Sequence, residues 1–295
     1  HNNHDGTFTD VAVIAGAAFN EDGREQAGMG STIADFDGDG LLDIFKTNFS
    51  DDTSTLYRNN GDGTFTDATF SSGLGLHSQY LGWGTMFLDF DNDGWPDLLL
   101  VNGHVYPEVD KFKLGSDYEE PRILYHNTGK GTFDDVSAIA GPAITRKASG
   151  RGLAIGDLWN NGKLEAVITN MGDRPSLLVN QMDYPNHWIE IKTIGTKSNR
   201  DGIGARVTVK AGGRTFVNEV RSGSSYSSSN DLRVHFGLGK ATKIDSLEIR
   251  WPSGLVEQFD AKVDAINTIK EGSGRADPPS AQKHKATERS RSVSP

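Results

Sequence analysis

Two nine-residue segments rich in aspartate constrain this chain more than any other feature. Residues 35–43 (DFDGDGLLD) and 89–97 (DFDNDGWPD) carry carboxylates at positions one, three, five and nine, with glycine at position six. Residues 157–165 (DLWNNGKLE) keep the spacing but only the first and last carboxylates. Four carboxylates crowded into one turn repel each other unless a cation lies among them. The spacing therefore predicts calcium-binding loops, and its recurrence predicts a structural repeat.

The segments around each acidic loop also recur. A short apolar or alternating run precedes and follows each loop, which is typical of strand, turn and strand. A third strand-like run follows, and in two repeats a fourth begins at a Gly-Thr-Phe motif. Four strands per repeat, with loops starting at residues 35, 89 and 157, are typical of β-propeller blades. We predict about three blades and one strand in residues 1–185, truncated at the N-terminus within a preceding blade.

Oxygen ligands in this spacing suit a hard cation. Side chains one, three, five and nine can converge on an ion together with the carbonyl oxygen of position seven. The predicted metal ligands are Asp35, Asp37, Asp39, Leu41 and Asp43 in the first loop, Asp89, Asp91, Asp93, Trp95 and Asp97 in the second, and Asp157, Asn161 and Glu165 in a weaker third site.

Calcium is the predicted ion. Magnesium prefers a tight octahedron that retains several waters, and zinc prefers histidine or cysteine. An EF-hand would add a glutamate at position twelve, but Lys46 and Leu100 stand there. We predict two Ca²⁺ ions with a mainly structural role. The third loop has Trp159 at position three. It either binds an ion weakly or forms a polar turn without an ion, and the second alternative is preferred.

Composition excludes several classes of protein. The 295 residues carry a formal net charge of −10, which disfavours binding to nucleic acid. No apolar run approaches the roughly 18 residues of a membrane span. The chain has no cysteine, so it has neither disulfides nor a thiolate metal site. No signal peptide is visible.

The remainder of the chain differs from the repeats. Residues 186–270 contain strand-like runs separated by Gly, Ser and Asn, which predicts a small antiparallel β-sandwich or barrel. Residues 271–295 are rich in Ser, Pro, Lys and Arg and predict a disordered tail.

The motifs resemble known families. The acidic loops with GDGTFTD at residues 61–67 resemble FG-GAP (VCBS) repeats of integrin-α-like propellers. SNRDGIGARV at 198–207, HFGLG at 235–239 and RWPSG at 250–254 resemble the ASPIC/UnbV domain. The combination resembles the cartilage acidic protein (CRTAC) family, which implies an all-β, secreted, periplasmic or cell-surface protein. The chain lacks the Cys-rich module of animal members, which favours a bacterial source.

Two functions remain open from the sequence. The resemblance implies a non-enzymatic, calcium-binding protein for adhesion or for recognition of protein or glycan ligands. The alternative is a polysaccharide-acting lyase or hydrolase with its site on the propeller face or on the insertion at residues 103–123, which contains His104 and Tyr106. Long loops on rigid scaffolds often carry function, but no catalytic motif accompanies this one. No catalytic residue is therefore predicted, and no feature predicts the oligomeric state.

Overall fold

The computed structural model describes residues 1–112 and 115–276. Its strands form five sheets, three before residue 180 and two after it. The two helices, α1 (Val109–Phe112) and α2 (Pro142–Thr145), have one turn each. The all-β fold class is therefore confirmed. Within the described residues, neither helix approaches the length needed to span a membrane.

The first three sheets have the antiparallel up-and-down order of propeller blades. The first blade contains β1 (Ser31–Ala34), β2 (Asp43–Lys46), β3 (Thr55–Asn59) and β4 (Phe65–Asp67). The second contains β5 (Gly82–Leu88), β6 (Asp97–Asn102), β7 (Ile123–Asn127) and β8 (Phe133–Asp135). The third contains β9 (Gly150–Gly156), β10 (Glu165–Asn170) and β11 (Ser176–Leu178).

Each acidic loop connects the first two strands of its blade. In the first blade, Ala34 pairs with Asp43 directly across the loop, and in the second Leu88 pairs with Asp97. Glycine supplies the left-handed backbone that the sharp turn needs, with φ +86 at Gly40 and +89 at Gly94. The three loops therefore lie at one end of the blades, and the connections from second to third strand lie at the opposite end.

Apolar side chains fill the space between neighbouring blades. Phe45 and Leu56 of the first blade pack with Phe87, Leu98 and other residues of the second in one buried cluster. A second cluster, which includes Met86, Leu99, Leu153 and Ile168, joins the second blade to the third. These clusters hold the three acidic loops side by side.

The C-terminal domain is a two-sheet β-structure. One sheet has the order β15 (Val234–Gly239), β12 (His187–Ile194), β18 (Ile266–Lys270). The other has the order β14 (Arg214–Glu219), β13 (Arg206–Ala211), β16 (Ser246–Arg250), β17 (Val256–Phe259), β19 (Arg275–Ala276). A core that includes Ile189, Val207, Ile249 and Trp251 fills the space between them.

Two details of this domain differ from the predicted antiparallel domain of residues 186–270. β12 and β18 are parallel, because the chain crosses from one sheet to the other after β17 and returns alongside β12. The domain also includes residues 271–276, which the composition predicts to belong to the disordered tail. Glu271 is buried and accepts hydrogen bonds from the backbone N–H groups of residues 196–198, and β19 pairs with β17. Residues 277–295 of the predicted tail lie outside the described residues.

Candidate metal centre

The first acidic loop brings three of its predicted ligands together. Asp35, Asp37 and Asp39 each place a carboxylate oxygen within 4.8 Å of the others. The Asp35 side chain is buried, and its Oδ2 accepts a hydrogen bond from Gly40 N at 2.9 Å. Oδ1 of Asp35 and Oδ1 of Asp37 are buried without any hydrogen-bond partner. Buried polar atoms nearly always have partners, so these two oxygens fit a cation.

The second loop contains two overlapping groups. Asp89, Asp91 and Asp97 form one set of oxygens within 4.8 Å, and Asp91, Asp93 and His126 form another. The Asp89 carboxylate accepts hydrogen bonds from Asp93 N and Gly94 N at 3.1 and 2.8 Å. Lone pairs on these oxygens can still coordinate an ion, since each carboxylate has about four acceptor positions.

The carboxylate at position nine has a structural role in both loops. Asp43 accepts hydrogen bonds from Phe36 N and Asn59 N, at 3.1 and 2.8 Å. Asp97 repeats this with Phe90 N and Asn127 N, also at 3.1 and 2.8 Å. Each residue is fully buried and ties its loop to the third strand of the blade. Asp43 lies outside the three-carboxylate group of its loop, so its role as a ligand stays a prediction, as do those of the Leu41 and Trp95 carbonyls.

The third loop uses its polar groups internally. Asp157 accepts hydrogen bonds from Asn161 N and Gly162 N, and Glu165 Oε2 accepts one from Leu158 N. The described residues of this loop contain no group of three converging acids or histidines. Glu165 Oε1 is buried without a partner, so an ion at Asp157, Asn161 and Glu165 stays a weaker prediction than in the other loops.

Two residues at the loops were missed by the sequence analysis. Arg58 Nε lies 2.6 Å from Asp37 Oδ2, and His126 Nε2 lies 3.4 Å from Asp91 Oδ2. Both occupy the same place in the third strand, immediately before the asparagine of Leu-Tyr-Arg-Asn and Leu-Tyr-His-Asn. This recurrence in the sequence could have indicated that both residues belong to the sites. The arginine partly neutralises the first loop, whereas the histidine offers a nitrogen ligand to the second.

Burial raises the pKa of several loop carboxylates. It raises the pKa of Asp35 to about 6 and that of Asp43 to about 7, against hydrogen bonds that lower both. Burial and the nearby Asp93 charge raise the pKa of Asp89 well above its usual range, and burial with the Asp89 charge does the same for Asp97. Without a cation, folding therefore favours the protonated form of these carboxylates.

This gives a pH-dependent expectation for the metal-free protein. Because the folded pKa of Asp35 exceeds the unfolded value of 3.8, its ionisation lowers the free energy of unfolding as pH rises from about 4 to about 6. Asp35→Asn removes that effect. In the presence of chelator, the variant should gain stability relative to wild type as pH rises through this window, measured by urea unfolding. A difference between the two proteins that does not change with pH would contradict the assignment.

Comparisons with known proteins agree with the two-part architecture. Residues 35–100 match the FG-GAP-like repeat family, and residues 195–276 match the ASPIC and UnbV family. The chain is 26% identical to cartilage acidic protein 1 of Homo sapiens over 280 residues, which cover 92% of this chain and 39% of that protein. The Mus musculus and Xenopus tropicalis proteins are 24% and 26% identical over 282 residues, covering 92% and 91% of this chain and 40% of each relative.

The predicted resemblance is confirmed by these matches. The chain spans about two fifths of the length of these curated relatives. Among solved structures, a rhamnogalacturonan lyase superposes with a TM-score of 0.28 and 12% identity, over 83% of this chain and 51% of that one. A superposition this loose carries no argument about fold or function.

Proposed function

We propose that this chain, which combines FG-GAP-like repeats with an ASPIC/UnbV domain and resembles cartilage acidic protein 1, is a calcium-stabilised extracellular recognition protein without enzymatic activity. The observation that carries the calcium part is the pair of buried, unpartnered oxygens of Asp35 and Asp37 within the three-carboxylate group. Calcium at millimolar extracellular concentration fills sites of modest affinity. An ion in each of the first two loops would hold its hairpin closed.

The alternative enzymatic site receives no support from the insertion. His104 is buried, and its Nδ1 accepts a hydrogen bond from Tyr106 N at 3.1 Å. Among the described residues, no carboxylate lies within hydrogen-bond distance of His104 or the Tyr106 hydroxyl. Glu120 is used internally, since it accepts hydrogen bonds from Leu81 N and Ser116 Oγ. The insertion thus offers a surface for contact rather than an acid–base pair.

We place the recognition surface at the end of the blades opposite to the acidic loops. The insertion between β6 and β7 lies at this end and exposes Tyr106 and Phe112, whose side chains are 63% and 66% accessible. Exposed aromatic side chains provide much of the binding energy in protein interfaces and can stack on sugar rings. Glu120 anchors the base of the insertion through its hydrogen bond from Leu81 N, and an exposed ion pair joins Asp117 of the insertion to Lys147.

Binding arrays test this proposal. The purified chain is screened on protein and glycan arrays with calcium, and each hit is repeated with Tyr106→Ala/Phe112→Ala. The double variant should lose about tenfold or more in affinity, since loss of a strong aromatic contact costs about 2 kcal/mol. Leu158→Ala, at an exposed residue of the third acidic loop and so at the other end of the blades, is the control. Unchanged binding by the double variant would contradict the surface, and turnover of an arrayed polysaccharide would contradict the absence of enzymatic activity.

A further inference from the structure

The C-terminal domain contacts every acidic loop with an arginine. Arg206 Nη2 donates to Gly40 O at 2.7 Å in the first loop. Arg214 donates to Asp93 O and Gly94 O at 3.2 and 2.8 Å in the second. Arg233 donates to Asp157 O and Asn160 Oδ1 at 2.7 and 2.6 Å in the third. We call Arg206, Arg214 and Arg233 the loop arginines.

In the first two loops the arginine contacts the same glycine residue as the first carboxylate, through the peptide groups on either side of its Cα. Gly40 N–H donates to Asp35 Oδ2 at 2.9 Å, while Gly40 O accepts from Arg206. Gly94 N–H donates to Asp89 Oδ2 at 2.8 Å, while Gly94 O accepts from Arg214. The glycine at position six therefore links the candidate metal ligand on one side to the C-terminal domain on the other.

This link makes the arginine contacts sensitive to the loop conformation. If the carboxylates of a loop repel one another, the first carboxylate releases the glycine N–H and the glycine carbonyl turns away from the arginine. The half-buried guanidinium group would then lose its carbonyl acceptor, which costs free energy. A cation among the carboxylates holds the loop closed and keeps the carbonyl in place.

The rest of the interface is directional as well. Backbone N–H groups of the C-terminal domain donate into the blades, from Ser225 to Ser31 O, from Asp231 to Ile155 O and from Gly239 to Asn92 O. Arg214 also stacks on the Trp95 ring of the second loop, with its guanidinium carbon 3.8 Å from the ring centroid. The Gly239 contact with Asn92 and the Arg214 stack on Trp95 lie in the second loop itself, so a movement of that loop would disturb both.

We propose that the C-terminal domain is a latch that docks on the metal-loaded conformation of the acidic loops, so that calcium binding and domain docking strengthen each other. The proposal rests on the proposed calcium function. By linkage, the docked state binds calcium more tightly than the undocked state by the same factor by which calcium strengthens docking, typically about 5- to 150-fold, so a variant that undocks loses up to that factor in calcium affinity.

Calorimetry on the full chain measures how the docking contacts affect calcium affinity. Arg206→Gln/Arg214→Gln should lower calcium affinity by about 5-fold or more. Arg206→Lys/Arg214→Lys should also lower calcium affinity, because lysine keeps the charge but lacks the planar guanidinium group with which Arg214 contacts two carbonyls and stacks on Trp95. If the arginines acted only by repelling the metal, the glutamine variant would bind calcium more tightly and the lysine variant would match wild type, which would overturn the latch. Arg250→Gln, at an exposed arginine on β16, is the control.

Hydrogen exchange measures the effect of calcium on docking of the C-terminal domain. Peptides from residues 224–239 contain the Ser225, Asp231 and Gly239 amides, and calcium should slow their exchange in wild type but much less in Arg206→Gln/Arg214→Gln. If wild type binds calcium and exchange of these peptides is the same with and without it, the latch is overturned and the calcium function stands. If wild type binds no calcium, both are overturned.

Discussion

Saturating calcium is expected to raise the midpoint of thermal unfolding by on the order of 10 °C relative to chelator. Ligand at one hundred times its dissociation constant stabilises the folded state by about 2.7 kcal/mol per site, and two loops can contribute independently. For domains of this size each kcal/mol moves the midpoint by about 2–4 °C. The reason is structural, since the carboxylate groups of both loops are held close together in the fold and include buried side chains.

The loop variants provide the control for this experiment. Asp37→Asn/Asp91→Asn removes one charge from each loop and should abolish most of the calcium-dependent increase. Its midpoint in chelator should equal or exceed that of wild type, because repulsion within each loop is reduced. Magnesium should give a smaller increase, since it releases its waters reluctantly. Identical wild-type midpoints in calcium and in chelator would contradict the calcium assignment.

Asp97→Ala is expected to destabilise the metal-free protein by about 4 kcal/mol. The carboxylate accepts hydrogen bonds from Phe90 N and Asn127 N in a fully buried position. Alanine leaves both N–H groups without an acceptor, and each such loss costs about 1–3 kcal/mol. The substitution also removes the repulsion from Asp89, so the net loss lies below the upper limit of about 6 kcal/mol. Urea unfolding in chelator measures this effect without any contribution from metal.

The matched control for Asp97→Ala is Asp134→Ala, at an exposed residue of β8 in the same blade. It should change the free energy of unfolding by less than about 0.5 kcal/mol. If Asp97 served only as a metal ligand, its substitution would leave the metal-free protein as stable as wild type or more stable. That result would contradict the structural role assigned to position nine in both loops.

The blades could be predicted from the sequence because each strand–turn–strand unit requires particular residue types at fixed positions. Glycine at position six is needed for the left-handed turn, as at Gly40 and Gly94, and the apolar runs on both sides suit only paired strands. The role of position nine could not be predicted in the same way. A carboxylate can serve as ligand or as acceptor, and the choice depends on N–H groups such as that of Asn127, 30 residues away.

Contacts between distant segments account for the rest of what was missed. Arg206 and Gly40 are separated by 166 residues, and no pattern in either segment indicates that they meet. The parallel pairing of β12 with β18 likewise depends on the path of the chain between the two sheets. The recurrence of His126 and Arg58 at the same strand position is visible in the sequence. That their side chains point towards the loops depends on the register of each blade, which the sequence does not show.

Isothermal titration calorimetry of the chelator-stripped chain with calcium near pH 7.5 measures how many ions the acidic loops bind and how tightly. We expect about two ions per chain with dissociation constants at or below the millimolar range of extracellular modules, and about one ion after Asp37→Asn in the first loop. A wild-type chain that takes up no calcium at millimolar concentration would contradict the claim that the acidic loops bind ions that hold the hairpins of the first two blades closed.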